Sequence, residues 1–193
     1  MIETKPNTQR FRENIDQVSK MYKEAFAGFP WFEDLSAEEV SKRLDSNMTK
    51  GGFESFIAED ENGEIIGGLW FDSPTLEQLQ AERGEKLADF TRKLCEASST
   101  NDLIWERELM VRPDCQRQKI ATRLRMAFLT YLSGKYPNGV FVLTRMRDDN
   151  IGTLKIAQRL GYQRTGIKMP SSKNPNVYHE FWYKHVNSKE EQK

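Results

Sequence analysis

The sequence is poor in the residues that build metal sites and disulfide frameworks. Its two cysteines, Cys95 and Cys115, are far apart, and its two histidines, His179 and His185, stand alone. Neither a structural zinc site nor a disulfide scaffold can be assembled from so few ligands, so no metal is expected. No apolar run is long enough to span a bilayer, and Met1 to Arg10 contains no signal-like apolar core. Charge of one sign is also lacking. Lysine plus arginine and aspartate plus glutamate each number 29, which argues against a general nucleic-acid or anionic-membrane surface. The expectation is a cytoplasmic protein with no nucleic-acid or membrane partner. At 193 residues the chain reads as one domain over 1–193 with a real core.

Hydrophobic spacing then sets the order of elements. Phe11, Ile15, Val18, Tyr22 and Ala25 recur at helical spacing and predict one amphipathic helix from Thr8 to Ala27. Ile2 to Thr4 carries a weak strand signal ahead of it. Gly28-Phe29-Pro30-Trp31-Phe32 interrupts with aromatics, either as a packed connector or as a wall of an apolar pocket. Ser36 and Glu39 match a capping box, with Leu35 and Val40 as its staple, so a second helix starts there, runs near Met48 and stops before Gly51-Gly52. Phe53–Glu59 and Glu64–Phe71 predict a hairpin around Asp60-Glu61-Asn62-Gly63. Gly67-Gly68 within its second strand marks a bulge or a close backbone approach.

Thr75 to Ala97 reads as one long helix or two short ones broken at Gly84. It makes a helical insertion over about 73–100 between strands. Leu103–Val111 is then a central strand, Gln118–Ser133 a helix ended by Gly134 and Pro137, and Val140–Met146 a buried strand. Ile151–Leu160 is a helix closed by Gly161. Two last strands, Gln163–Lys168 and Val177–Lys184, flank a loop over 171–176, and 187–193 is a charged, frayed tail. This order implies an α/β fold around a mixed, twisted sheet of six or seven strands with helices on both faces. The strand–helix–strand unit at its middle should cross over right-handed and pair parallel.

The most informative stretch joins the central strand to its helix. A strand that delivers the chain into a helix N-terminus makes an anion site, because the first N–H groups lack intrahelical partners and the dipole adds positive charge. Arg117, Lys119 and Arg123 reinforce it. The turn has neither the dinucleotide glycine pattern nor a P-loop. Instead Val111-Arg112-Pro113-Asp114-Cys115-Gln116-Arg117-Gln118-Lys119-Ile120-Ala121 resembles the acyl-CoA signature of the GNAT superfamily of N-acetyltransferases. Asn150 followed by a helix ending Leu160-Gly161-Tyr162 is similar to that family's second motif, and Ile65-Ile66-Gly67-Gly68 fits its third strand.

The resemblance implies acetyl-CoA as co-substrate. It also implies a roster of contacts: backbone groups of Leu109, Met110 and Val111 on the pantetheine amides, N–H groups of Arg117, Gln118, Lys119, Ile120, Ala121 and Thr122 around the pyrophosphate, and Asn150 on the pantetheine arm. On its own, Asn150 reads as a helix N-cap. Glu108 is the first candidate for the base that takes a proton from the incoming ammonium, and Glu106 the second; alternation puts both on one face of the strand. Salt bridges with Arg107, Arg145 or Arg147 are the competing reading for these carboxylates.

Two residues depart from the family pattern. Lys119 stands where glycine is usual, and glycine lets backbone approach a phosphate without a Cβ in the way. Ala157 stands where many members carry the tyrosine that protonates the departing thiolate; Tyr162, Tyr178 and Tyr183 are substitutes to weigh. Cys115 has no histidine near it in sequence to activate it as a nucleophile. The implied reaction is direct transfer of an acetyl group to a primary amine on a small-molecule or peptide acceptor, with the strand N–H near Met110 polarising the thioester carbonyl. The rival is a non-catalytic acyl-CoA-binding regulatory module. A third reading takes a longer acyl chain against the aromatic segment. A homodimer is left open.

Overall fold

The computed structural model describes residues 6–171 and 174–187. The strand expected at Ile2 to Thr4, part of the 171–176 loop and nearly all of the expected tail lie outside them. Among the described residues there are seven α-helices and six strands, in the order α1 (Thr8–Glu13), α2 (Ile15–Ala27), α3 (Ala37–Met48), β1 (Glu54–Glu59), β2 (Ile65–Asp72), α4 (Leu76–Arg83), α5 (Glu85–Ser98), β3 (Leu103–Val111), α6 (Ile120–Lys135), β4 (Val140–Arg147), α7 (Ile151–Arg159), β5 (Gln163–Pro170) and β6 (Tyr178–Val186). The strands form one twisted open sheet ordered β1-β2-β3-β4-β6-β5. The pair β3–β4 is parallel, and β1–β2, β4–β6 and β5–β6 are antiparallel. The mixed α/β class follows the expectation, with six strands.

The chain divides into two compact units. One comprises the residues through Asp72 with Arg107–Tyr131, the other Ser73–Glu106 with Leu132 onward. The first unit buries Phe11, Val18, Tyr22, Phe26, Val40, Leu44 and Trp70 in one cluster, with Phe11 edge-on to both Phe53 and Trp70 at 5.6 and 5.2 Å. The second is centred on Leu79, Leu87, Trp105, Leu143 and Phe181. The apolar stripe of α4 and α5 therefore goes into the core of this unit.

Two expectations are corrected in detail, and a third, open between one helix and two, resolves to two. The single helix from Thr8 to Ala27 is two, because Asn14 breaks it. Its side-chain amide donates to the Arg10 carbonyl at 2.9 Å, and its own N–H donates to the same oxygen at 3.2 Å, a local competition that ends helices. The helix expected from Gln118 starts only at Ile120, and it runs through Gly134 to Lys135. The segment after Thr75 resolves into two helices at Gly84, whose φ is 91°; Thr75 and Gln78 form a second capping box there. Gly67 marks close approach. A Cβ on it would stand 3.0 Å from Ile120 Cγ2 and 3.3 Å from the Met110 carbonyl.

Among the described residues no helix is long and apolar enough to cross a membrane, and no cluster of three or more histidine, cysteine or acidic side chains is grouped to hold a metal.

Candidate active site

In the first unit, the end of β3 runs into a short 3-10 turn, Pro113–Cys115, and then into the basic turn. The backbone hand reverses at each step there. Gln116 has φ −65°, Arg117 62° and Lys119 63°, while Gln118 and Ile120 are on the negative side. Alternation of φ sign around Arg117 and Lys119 is one feature of anion-binding nests, which turn successive N–H groups toward one side; Gln116 itself is extended, with ψ 165°. The Lys119 carbonyl accepts the Arg123 N–H at 3.0 Å, so the nest leads without interruption into α6. No acidic side chain occupies the first turn of α6, which leaves its positive end uncancelled.

Both left-handed positions carry cationic, exposed side chains where glycine would sit without strain. A non-glycine residue costs about 1–2 kcal/mol in this region. Lys119 thus adopts the conformation that the family's glycine favours, rather than a helical one.

The rest of the turn is held by side chains. Arg112 is fixed by Asp114 at 2.7 Å and Glu64 at 3.0 Å, and its N–H donates to the Ile66 carbonyl of β2. Gln116 Nε2 donates to the Val111 carbonyl at 3.3 Å. The narrow gap at Gly67 lets Ile120 and Leu124 of α6 settle onto β2, which brings the nest down to the sheet. Cys115 is half-buried beside Arg112 and Asp114. Burial first, then the hydrogen bond with Asp114, pushes its thiol pKa up, the reverse of what a nucleophilic cysteine needs.

Glu108, on β3 in the same unit, receives the hydroxyl of Tyr22 at 3.4 Å. That phenol oxygen in turn accepts Arg43 Nη1 at 2.8 Å, and Arg43 pairs with Glu33 at 3.0 Å. Four side chains from α2, α3, β3 and the segment between α2 and α3 thereby form a chain of hydrogen bonds. Burial above all, and then the Glu108 charge, raises the Tyr22 pKa well beyond the ordinary phenol range. The phenol therefore remains a proton donor. Burial works against the Arg43 cation, but Tyr22 and Glu33 outweigh it and hold its pKa high. Arg107, the next residue along, forms a buried pair with Asp72 at 2.7 Å.

Sequence reading counted Tyr22 only as part of an apolar stripe. The available signal was its chemistry: a buried tyrosine hydroxyl finds a partner.

The segment between α2 and α3 is both connector and exposed surface. Pro30 is buried and follows a cis peptide bond, and Trp31 packs on Phe26 at 5.1 Å. Phe29 and Phe32, by contrast, are 69% and 68% exposed and touch each other edge-on. Phe32 is held at φ 47°.

In the second unit, Glu106 is 1% exposed. Its carboxylate accepts the Tyr162 hydroxyl at 2.8 Å and its carbonyl the Thr144 hydroxyl at 3.2 Å. Arg147 makes a two-toothed pair with Asp149 at 2.9 and 2.7 Å. Asn150 caps α7, its Oδ1 accepting the Thr153 N–H at 3.3 Å, so the structure shows it in its capping role. Leu160-Gly161-Tyr162 is a helix stop with a physical reason. Gly161 is left-handed at φ 78°, the Tyr162 N–H reaches the Ala157 carbonyl and the Gly161 N–H the Gln158 carbonyl, which together make a Schellman motif.

Ala157 itself is fully buried. Of the three tyrosines weighed as proton donors, Tyr162 is buried on Glu106, Tyr183 donates to Gln163 at 2.8 Å, and Tyr178 is exposed.

The fold has counterparts among known proteins. Phosphinothricin acetyltransferase of Sinorhizobium meliloti, in complex with AcCoA, superposes with a TM-score of 0.62 at 13% identity, covering 97% of this chain and 88% of that one. NAA60 of Arabidopsis thaliana, in complex with a bisubstrate analogue, gives 0.64 at 13% identity over 91% and 94%. The ribosomal-protein-S18-alanine N-acetyltransferase of Escherichia coli gives 0.59 at 14% identity over 93% and 94%. At these identities the likeness is one of fold. No curated protein matches the sequence. A family model described as acetyltransferase (GNAT) family matches residues 15–162, well over half of the sequence. The chain belongs to the acetyltransferase (GNAT) family.

Proposed function

We propose that this protein transfers the acetyl group of acetyl-CoA to a primary amine, with Glu108 as the base. The observation that carries the reading is the alternating backbone from Gln116 to Ile120, opening onto an acid-free helix N-terminus, at the end of the strand that bears Glu108. N–H groups from Arg117 through Thr122 bind the pyrophosphate, a doubly charged anion suited to a nest on a helix end. Leu109, Met110 and Val111 offer backbone groups to the pantetheine amides, as a neighbouring strand would. Acetyl-CoA, when bound, supplies the activated acyl group, and S. meliloti phosphinothricin acetyltransferase binds AcCoA on the same fold.

An amine acceptor arrives as an ammonium ion and must lose a proton before it attacks. Glu108 attracts the cation and accepts that proton, directly or through water, while the Met110 N–H polarises the thioester carbonyl. Attack is direct, with no acyl-enzyme on Cys115: the new C–N bond forms as the thioester C–S bond breaks, and CoA leaves as a thiolate that takes its proton from water. The acceptor class extends from small molecules to peptide and protein amines; the named acceptors of two proteins of this fold, phosphinothricin and ribosomal protein S18, span that range.

One observation favours a second reading, an acyl-CoA-binding module without turnover. Ala157 offers no hydroxyl to protonate the leaving thiolate. One measurement is common to both readings and a second separates them. Saturating acetyl-CoA stabilises the fold under either, by about 2.7 kcal/mol at a hundredfold excess over Kd. Thiol release that depends on an added amine occurs only under the first, and its absence across polyamines, amino acids, aminoglycosides and peptides leaves the second standing.

A further inference from the structure

The chain Glu33–Arg43–Tyr22–Glu108 lies within one unit and is not explained by packing alone. Tyr22 satisfies its apolar surroundings through its ring, which stacks on Phe26 at 4.4 Å and leans on Trp70 at 6.1 Å. Phenylalanine would serve that purpose equally well. A tyrosine in its place brings a polar atom into the core, which is costly unless the atom is hydrogen-bonded. Arg43 meets that requirement and does more. By donating to the phenol oxygen at 2.8 Å, it occupies an acceptor direction of that oxygen, and the hydroxyl proton then points at the Glu108 carboxylate 3.4 Å away. Glu33 fixes Arg43 from its other side at 3.0 Å, and the guanidinium also lies over the Tyr22 ring.

We infer that Tyr22 is a positioning residue for the acetyl-transfer reaction, held in its donor state by Arg43 and Glu33 so that it orients the Glu108 carboxylate and stabilises its ionised form. The inference rests on Glu108 being the base. Tyr22 of α2 links Glu108 to the charged groups Arg43 of α3 and Glu33 ahead of it, while Arg107, next to Glu108 on β3, pairs with Asp72 of β2. At 3.4 Å the contact is long for an O–H···O bond. A hydrogen bond donated to a carboxylate favours its charged form, and here it also fixes the orientation of the Glu108 carboxylate.

The test needs no knowledge of the natural acceptor. Proteins labelled with carbon-13 at the glutamate carboxyl are titrated by NMR, and Glu108 is assigned as the signal missing from Glu108→Gln. Tyr22→Phe keeps the ring packing. In Tyr22→Phe the Glu108 midpoint rises, and turnover of acetyl-CoA with the most active amine of a panel falls about 10-fold, against 100-fold or more for Glu108→Gln. An unchanged midpoint in Tyr22→Phe overturns the positioning role while leaving the base assignment intact. A midpoint that moves, with Glu108→Gln still turning over at the parent rate, overturns the base assignment, and the role of Tyr22 in the reaction goes with it.

Discussion

Tyr162 donates its hydroxyl to the Glu106 carboxylate at 2.8 Å, and both side chains are buried. The pair joins the end of the α7 stop motif to the first half of β3. Replacing Tyr162 by phenylalanine keeps the ring and removes the donor, leaving a buried carboxylate short of one partner. We expect a loss of about 1–3 kcal/mol in urea unfolding. A variant as stable as the parent would show that the bond has no net worth.

Lys119 holds a strained backbone that the family's glycine adopts freely. Lys119→Gly should raise the melting temperature of the unliganded protein by about 2–4 °C, which corresponds to relief of roughly 1 kcal/mol in a chain of this size. The same substitution removes a cation from the nest, so acetyl-CoA binding should lose part of its salt dependence. Calorimetric titration at two ionic strengths, with thermal melts of the free protein, reads both effects. A lower melting temperature would contradict the assignment of strain to this position.

Gly67 is where α6 meets the sheet. In Gly67→Ala the new methyl would crowd Ile120 Cγ2 at 3.0 Å, Leu124 Cδ1 at 3.2 Å and the Met110 carbonyl at 3.3 Å. Two neighbours are side-chain atoms of α6 and the third is backbone, so α6 has to lift. Overpacking of this kind costs about 1–3 kcal/mol. It also moves the nest, so acetyl-CoA affinity should fall together with stability. Stability lost at unchanged affinity would separate the nest from the glycine contact.

His179 gives the second unit one source of pH-dependent stability. Burial first, then the charges of Arg145 and Arg147, lower its pKa from 6.5 to about 4. The folded imidazole is thus neutral where the unfolded one is charged. Between about pH 6.5 and 4 the unfolded state binds the extra proton, so stability is complete above that window and declines as pH falls through it. His179→Gln should flatten the fall in melting temperature over this window. An identical pH profile in parent and variant would remove His179 as the cause.

Local signals in the sequence were legible, and partnerships across it were not. The capping box at Ser36 and Glu39 forms as read, because its two hydrogen bonds need only residues three apart. Leu103–Val111 and the parallel pairing of β3 with β4 follow from apolar runs and crossover rules. Asn14 was invisible, since a side chain that competes for a carbonyl four residues back looks like any exposed polar position. The chain from Glu33 to Glu108 joins residues far apart in sequence, and no local pattern announces such a contact. In the nest, sequence gave the positive charge and the helix end. The left-handed geometry at Arg117 and Lys119 emerges only with the backbone, because neither residue favours it.

The central claim is amine-dependent acetyl transfer with Glu108 as the base, and release of free CoA thiol from acetyl-CoA tests it most directly. With an amine panel present, the parent should release thiol in step with acetylated amine, and Glu108→Gln should release it at least about 100-fold more slowly while still binding acetyl-CoA. Thiol release that no amine accelerates, or that Glu108→Gln supports at the parent rate, would contradict the account.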